Sequence, residues 1–184
     1  MAVRRISIAG STGSIGCSAV DVIQHARNSG QGDFEIVALA AGSNAEKLAE
    51  QALLLRPEIA VIADEGRRQD LEVLLSGSGI KVAAGAAALN EAASRPCDRF
   101  LAAIVGAAGL ESTLAAVRAG NDVAVANKES IVCGGDLILS EARRSGAKVL
   151  PVDSEHSAIF QCLGDGRSIE RLTITASGGP FRTA

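Results

Sequence analysis

The chain has 184 residues, 47% of them hydrophobic and 21% charged, with a net charge of -3 and 2% aromatic side chains. That is enough apolar material for one buried core and part of a second. No basic excess points to nucleic acid or an anionic membrane, aromatics are too scarce for a base-stacking platform, and no run approaches the roughly 18 apolar residues of a membrane helix.

The first expected element is a strand over 5–9, "RISIA"; the apolar run after "MAVRR" is too short for a signal peptide. "GSTGSIG" follows, with glycine at 10, 13 and 16. The usual dinucleotide fingerprint is G-x-G-x-x-G, and Thr12 stands where its middle glycine would be. The turn nevertheless follows a first strand and opens a helix. In that setting backbone N–H groups and the helix dipole receive a pyrophosphate. Ser11, Thr12 and Ser14 add hydroxyl donors. The alternative is a tight corner that binds nothing. Ile15, Ala19, Val22, Ile23 and Ala26 fall at the spacing of one apolar face of this helix.

A second strand is expected over 34–41, ending in Gly42-Ser43-Asn44. An NAD site usually places Asp or Glu there for the ribose 2′-OH. No acid is present, which favours NADP, its 2′-phosphate resting on the N–H groups and side chains of Ser43 and Asn44. Asn44 also reads as the N-cap of a helix through "AEKLAEQALLL".

Further strands are expected over 58–63, 81–84, 99–105, 122–126 and 148–150, with helical stretches between. Runs such as "IVALA" and "LAAIV" are continuously apolar, as in a parallel sheet covered on both faces. In "GLESTLAAVRAG", Leu110, Leu114 and Val117 form a buried face and Gly120 stands where a helix-terminating glycine belongs. The alternation predicts an α/β fold, a Rossmann-like doubly wound, mostly parallel sheet over 1–150. "VANKES" closes the strand ending at Ala126. Asn127, Lys128 and Glu129 then project from the carboxyl edge, where such sheets bind ligands. A lysine there can bind phosphate or polarise an oxygen; the plainer reading is a solvated loop.

The pattern changes after Pro151. A short helix over 157–163, a turn at "GDGRS", a strand "RLTITAS" and "GGPFRTA" are too little for a core. Residues 151–184 read as the opening segment of a second domain. In "PVDSEH", Asp153 and Glu155 can converge on Mg²⁺ or Mn²⁺ through oxygen ligands, with a third carboxylate needed from elsewhere. The same residues read as an acidic helix start, Ser154 or Asp153 capping and Glu155 in the first turn, and both readings can hold together. His156 is a further catalytic candidate, and His25 reads as surface. Ser177 and the glycines of "SGGPF" suit either an anion nest or a plain turn. Cys17, Cys97, Cys133 and Cys162 share no C-x-x-C spacing, so neither a zinc site nor a disulfide framework is expected and a reducing cytoplasm fits.

Taken together, "GSTGSIG", "AAIVGAAGL", "NKES", "PVDSEH" and "SGGPFR" resemble the 1-deoxy-D-xylulose 5-phosphate reductoisomerase family, in the family's order and from Ile6 to Arg182. "PVDSEH" with "NKES" is the specific part. The resemblance implies an enzyme of the non-mevalonate isoprenoid pathway. It would rearrange 1-deoxy-D-xylulose 5-phosphate on a divalent metal and reduce the product with NADPH to 2-C-methyl-D-erythritol 4-phosphate. It implies that Thr12, Gly13, Ser14 and Ile15 hold NADPH, with Gly42, Ser43 and Asn44 near its 2′-phosphate end and Asn127 and Glu129 also touching cofactor. Asp153 and Glu155 would bind metal, and Lys128, Ser154, Glu155 and Ser177 would contact the phosphorylated sugar. Lys128, Asp153 and Glu155 are thus the implied catalytic residues.

Two departures accompany the resemblance. Some members carry Lys where this chain has Ser43, a lost charge that bears on NADP preference. Members are also about twice as long, so the chain is expected to hold the NADPH domain and the start of a second, α+β catalytic domain. The lid over the substrate, a third acidic metal ligand, further phosphate contacts and a C-terminal helical domain would lie in the rest of a homodimeric parent. The chain alone is expected to bind cofactor without turnover. The competing classes are another NADP-dependent oxidoreductase, of semialdehyde or homoserine dehydrogenase type, and a non-catalytic nucleotide-binding module. A semialdehyde enzyme would need a catalytic cysteine, for which Cys133 is the candidate nearest the sheet edge.

Overall fold

A computed structural model describes residues 3–163 together with Glu170, Arg171 and Thr173. Among these residues one sheet of seven strands forms, with every pairing parallel: β1 (Arg4–Ala9), β2 (Phe34–Ala41), β3 (Ile59–Ile62), β4 (Lys81–Ala84), β5 (Arg99–Ala102), β6 (Val123–Val125) and β7 (Val149–Pro151). Their order is β4-β3-β2-β1-β5-β6-β7. The chain winds outward from β1 to β4, returns to pair β5 on the other side of β1, and winds on to β7. The order therefore reverses between β1 and β5, and a crevice opens there beyond the carboxyl ends of the strands. This is the doubly wound α/β sheet that the alternating pattern anticipates.

The crossovers are α1 (Ser14–Asn28), α2 (Ala45–Leu55), α3 (Arg68–Leu74), α4 (Gly85–Ser94), α5 (Leu110–Arg118) and α6 (Lys128–Ser145), and α7 (Ser154–Leu163) follows β7. Helices cover both faces. Ile36, Leu39 and Ala41 of β2 pack with α1, α2 and α3, while Ala38 and Ala40 of the same strand pack with Leu89 and Ala92 of α4. Burial on both faces explains why β2 reads as an unbroken apolar run rather than an alternating one. Leu114 and Val117 are buried and Gly120 takes a positive φ of 84° after α5, as their spacing anticipates.

Three local expectations are corrected. The strand expected over 99–105 ends at Ala102. The Ala103 N–H still donates to the Ala9 carbonyl, but β1 leaves the sheet at Gly10, so the next residues have no strand to pair with; Val105 is 83% exposed. The inner face of α1 is Gly16, Val20 and Ile23, whereas Ile15 and Val22 are exposed. Gly16 forces this rotation, because it lies against the backbone of Gly10 and Ser11 and a hydrophobicity pattern does not register a glycine as buried. The helix expected over 157–163 begins at Ser154, one turn earlier, because Asp153 accepts the His156 N–H and caps it. The strand expected at "RLTITAS", the "GDGRS" turn and Ser177 lie outside the described residues, apart from isolated positions.

Candidate active site

The β1–α1 turn shows what each glycine is for. Gly10 has φ 87°, and a Cβ there would stand 2.4 Å from the Ala103 carbonyl oxygen. A Cβ on Gly16 would stand 2.2 Å from the Gly10 carbonyl oxygen. These outer glycines are demanded by packing. Gly13 differs: its φ of -75° and ψ of 174° suit any residue, and a Cβ there would meet only the Gly10 carbonyl oxygen, at 3.3 Å. It is exposed, and it precedes a helix whose first turn has no side-chain cap. The first N–H groups of a helix lack intrahelical partners. A bare glycine in front of them leaves room for an anionic group to reach them.

Those N–H groups open on a cavity of about 410 Å³ at the carboxyl edge. Gly13, Ser14 and Ile15 line it from the β1–α1 turn, and Ala103 and Val105 from the loop after β5. Asn127, Lys128 and Glu129 enter at the start of α6, and Asp153, Ser154 and Glu155 at the start of α7. The structure thus brings together residues from three separated motifs. Gly42, Ser43 and Asn44 lie outside this cavity, exposed at the end of the neighbouring β2. The Asn44 side chain caps α2 by accepting the Lys47 N–H at 2.9 Å, as its position before the helix anticipates. Thr12 sits half-buried in the turn, its carbonyl 3.5 Å from Cys17 Sγ.

Asn127 is buried, with 4% of its surface exposed. Its Nδ2 donates to the Ile104 and Gly106 carbonyls, and its Oδ1 accepts the N–H groups of Glu129 and Ser130. One side chain thereby caps α6 and ties down the loop that presents Val105. Lys128 and Glu129 follow immediately and are exposed.

The carboxylates are held in their ionised form. Burial raises the pKa of Asp153, but the His156 N–H, the His156 imidazole and the Lys128 ammonium outweigh it, and the net shift is downward from 3.8. The Asp153 Oδ1 lies 3.0 Å from the His156 nitrogen and 2.8 Å from Nδ1. Glu155 is lowered by its own N–H, by the Ser154 hydroxyl 2.9 Å away and by Lys128, which together outweigh burial and the like charge of Asp153. Hard cations take such ionised oxygens. Among the described residues no third His, Cys, Asp or Glu joins them in a metal-ligating group. Cys133 is exposed on α6 and does not line the cavity, and His25 is exposed on α1.

Ala103 and Val105 were not candidates on sequence. Their only sign is that the apolar run "LAAIV" outlasts the strand. Gln51, buried beneath the glycine turn, was hidden inside an apolar helical stretch.

The family model of 1-deoxy-D-xylulose 5-phosphate reductoisomerase matches residues 6–135, and that of the reductoisomerase C-terminal domain matches residues 149–184. The reductoisomerase of Rhodospirillum centenum is 54% identical over 183 residues, covering 98% of this chain and 44% of its own length. That of Gluconobacter oxydans is 52% identical over 181 residues, covering 97% and 43%. A Zymomonas mobilis reductoisomerase structure in complex with NADPH superposes with a TM-score of 0.90 at 46% identity, over 99% of this chain and 48% of that one. A reductoisomerase structure in complex with NADPH, fosmidomycin and magnesium superposes at 0.80 with 40% identity, over 86% and 38%. A homoserine dehydrogenase from Thiobacillus denitrificans, 18% identical with a TM-score of 0.51, shares the fold alone. The chain spans less than half the length of the reductoisomerases it matches. With a family match over 6–135 and about half its residues shared with relatives along nearly all of its length, the chain belongs to the 1-deoxy-D-xylulose 5-phosphate reductoisomerase family.

Proposed function

We propose that the chain is the NADPH-binding part of an enzyme that converts 1-deoxy-D-xylulose 5-phosphate to 2-C-methyl-D-erythritol 4-phosphate with a divalent metal, Mg²⁺ or Mn²⁺. The observation that carries this reading is one cavity lined both by the uncapped start of α1 and by the carboxylates Asp153 and Glu155. An anion-binding helix start and a hard-cation pair in one cavity suit a phosphate-bearing ligand and a chelated metal together. A dinucleotide and a metal-chelating sugar phosphate, side by side, use both.

The residues fit both groups. Gly13 leaves the first-turn N–H groups of α1 open to a pyrophosphate, beside Thr12, Ser14 and Ile15. Gly42, Ser43 and Asn44 follow β2 with no acid among them, so the turn lacks the carboxylate that would select a free ribose 2′-OH. Asn127 and Glu129 bound the cofactor side. Asp153 and Glu155 hold the metal and Lys128 offers a cation to the substrate, with Ser154, Glu155 and Ser177 as further substrate contacts. When bound, the metal supplies Lewis acidity for the rearrangement and NADPH supplies the hydride. The solved relative that holds NADPH, fosmidomycin and magnesium together supports a site of this composition.

We read 1–150 as the cofactor domain and 151–184 as the start of the catalytic domain. No residue of α7 is buried, which suits a segment that continues into a further unit. The parent protein is read as a cytoplasmic homodimer acting on a small phosphorylated sugar, without nucleic acid or membrane. The net charge of -3 and four free cysteines support the compartment and the partner class, and the family resemblance supports the dimer. Among the described residues no helix is long and apolar enough to cross a membrane. Titrating this chain with NADPH by calorimetry tests the cofactor half of the reading: saturable one-to-one binding is expected, and none at millimolar cofactor would refute it.

A further inference from the structure

α2 turns an apolar face to the sheet, with Ala45, Leu48, Ala49, Ala52 and Leu55 buried. Gln51 is the one polar residue among them, 6% exposed. A leucine would fit this face without the cost of desolvating a carboxamide. The cost is visible here, since Gln51 Oε1 is buried with no partner.

What the carboxamide does is hold the glycine turn. Its Nε2 donates to the Ser11 carbonyl at 2.9 Å and reaches Cys17 Sγ at 3.7 Å. The Cys17 thiol points to the same carbonyl at 3.6 Å and to that of Thr12 at 3.5 Å. From the other side the Ser11 N–H donates to the Ala40 carbonyl of β2 at 2.9 Å. Ser11, two residues before Gly13, is thus pinned to β2 through its N–H and to α2 through its carbonyl. These are the two elements that flank Gly42, Ser43 and Asn44.

We propose that Gln51 is a positioning residue for the dinucleotide: through the Ser11 carbonyl it fixes the glycine turn to α2, so that backbone facing the pyrophosphate and backbone facing the 2′-phosphate stay at one separation. This rests on the NADPH reading above. A cofactor that spans both segments then meets a prearranged site, and loss of the latch returns part of the ordering cost to the binding step. NADPH has more to lose than NADH, because only NADPH touches the second segment through a phosphate.

The test is Gln51→Met in this chain, which keeps length and volume and removes the donor, with Gln51→Leu as a second variant should the first unfold. Three quantities are read: amide hydrogen exchange of residues 10–13 without cofactor, Kd for NADPH and for NADH, and Tm. The expected result is faster exchange in the turn, a roughly five- to tenfold weaker NADPH Kd and a smaller effect on NADH, with Tm changed little. A variant with parental exchange, Kd and NADPH/NADH ratio overturns the positioning role. So does a loss explained by Tm alone, with both cofactors weakened equally. If the parent chain itself fails to bind NADPH, the preceding reading falls and this one with it.

Discussion

Asn127 reaches back from the start of α6 to the Gly106 carbonyl at 2.7 Å, and Gly106 stands at φ 74°, ψ -167°. That backbone region is essentially reserved for glycine. Gly109 completes the arrangement, since a Cβ there would stand 2.8 Å from Asn127 Nδ2. Both N–H groups and both lone pairs of the carboxamide are engaged inside the protein. The Asn127 side chain therefore serves the cavity chiefly by placing Val105 on one side and Lys128 and Glu129 on the other.

Asn127→Asp is expected to keep the helix cap and lose the bracket. A carboxylate would face the Ile104 and Gly106 carbonyls in place of two donors. Urea unfolding should show a loss of about 2–4 kcal/mol, the range for a disrupted buried polar network. A variant within about 0.5 kcal/mol of the parent would mean that the loop holds itself.

The three glycines of the turn should separate by role. Gly16→Ala drives a methyl into the Gly10 carbonyl and should lower Tm, costing about 1–3 kcal/mol. Gly13→Val should lower Tm less than Gly16→Ala, because φ there is -75° and a Cβ would press only on the Gly10 carbonyl oxygen at 3.3 Å, yet block approach to the α1 N–H groups and weaken NADPH binding sharply. Thermal melts and cofactor titration on both variants check this. Normal NADPH binding by Gly13→Val would leave the turn a mere corner.

NADPH should bind this chain at least about tenfold more tightly than NADH, about 1.4 kcal/mol, since no acid ends β2. The comparison needs titrations at one salt concentration, because a phosphate contact is screened. Equal Kd values would show that Ser43, in place of a lysine, has removed the preference.

Much of this was legible beforehand, and what was missed has a pattern. β2 and β4 fall where an apolar run between turn residues puts them, because each is bounded by a helix signal; β2 is buried along most of its length, while β4, at the sheet edge, is only partly buried. The run past Ala102 misled, since hydrophobicity does not reveal that β1 has already left the sheet. On α1, Ile23 is buried and Ala19 packs on the core as their spacing predicts, whereas Ile15 and Val22 are exposed, because the anchor of the inner face, Gly16, has no side chain to count. Residues 13–15, 127–129 and 153–155 were each found as strand-end motifs, and the strand order is what brings them to one cavity. Asn127 and Gln51 were opaque as positioning groups because their value lies in backbone carbonyls that sequence does not locate.

Asp153 should titrate below the ordinary 3.8. A carboxyl whose folded pKa is depressed contributes stability that is full above the unfolded value and is lost as pH falls through the folded one. The start of α7 should accordingly stay capped through neutral and mildly acid pH and loosen only below the usual carboxylate range. In His156→Ala the burial of Asp153 remains while its hydrogen-bonding imidazole is gone, so the carboxyl midpoint, followed by NMR, should rise. An unchanged midpoint would show that His156 does not hold Asp153.

The central claim is that the α1 start and the Asp153–Glu155 pair serve cofactor and metal in one reaction. The direct measurement is NADPH oxidation by the full-length protein with 1-deoxy-D-xylulose 5-phosphate and Mn²⁺, beside its Asp153→Asn variant. The account predicts turnover that needs all three components. In the variant it predicts a fall of orders of magnitude, partly recovered by more metal, with the NADPH Kd unchanged. Near-normal turnover of Asp153→Asn at low Mn²⁺ would contradict it, leaving Asp153 as a helix cap and nothing more.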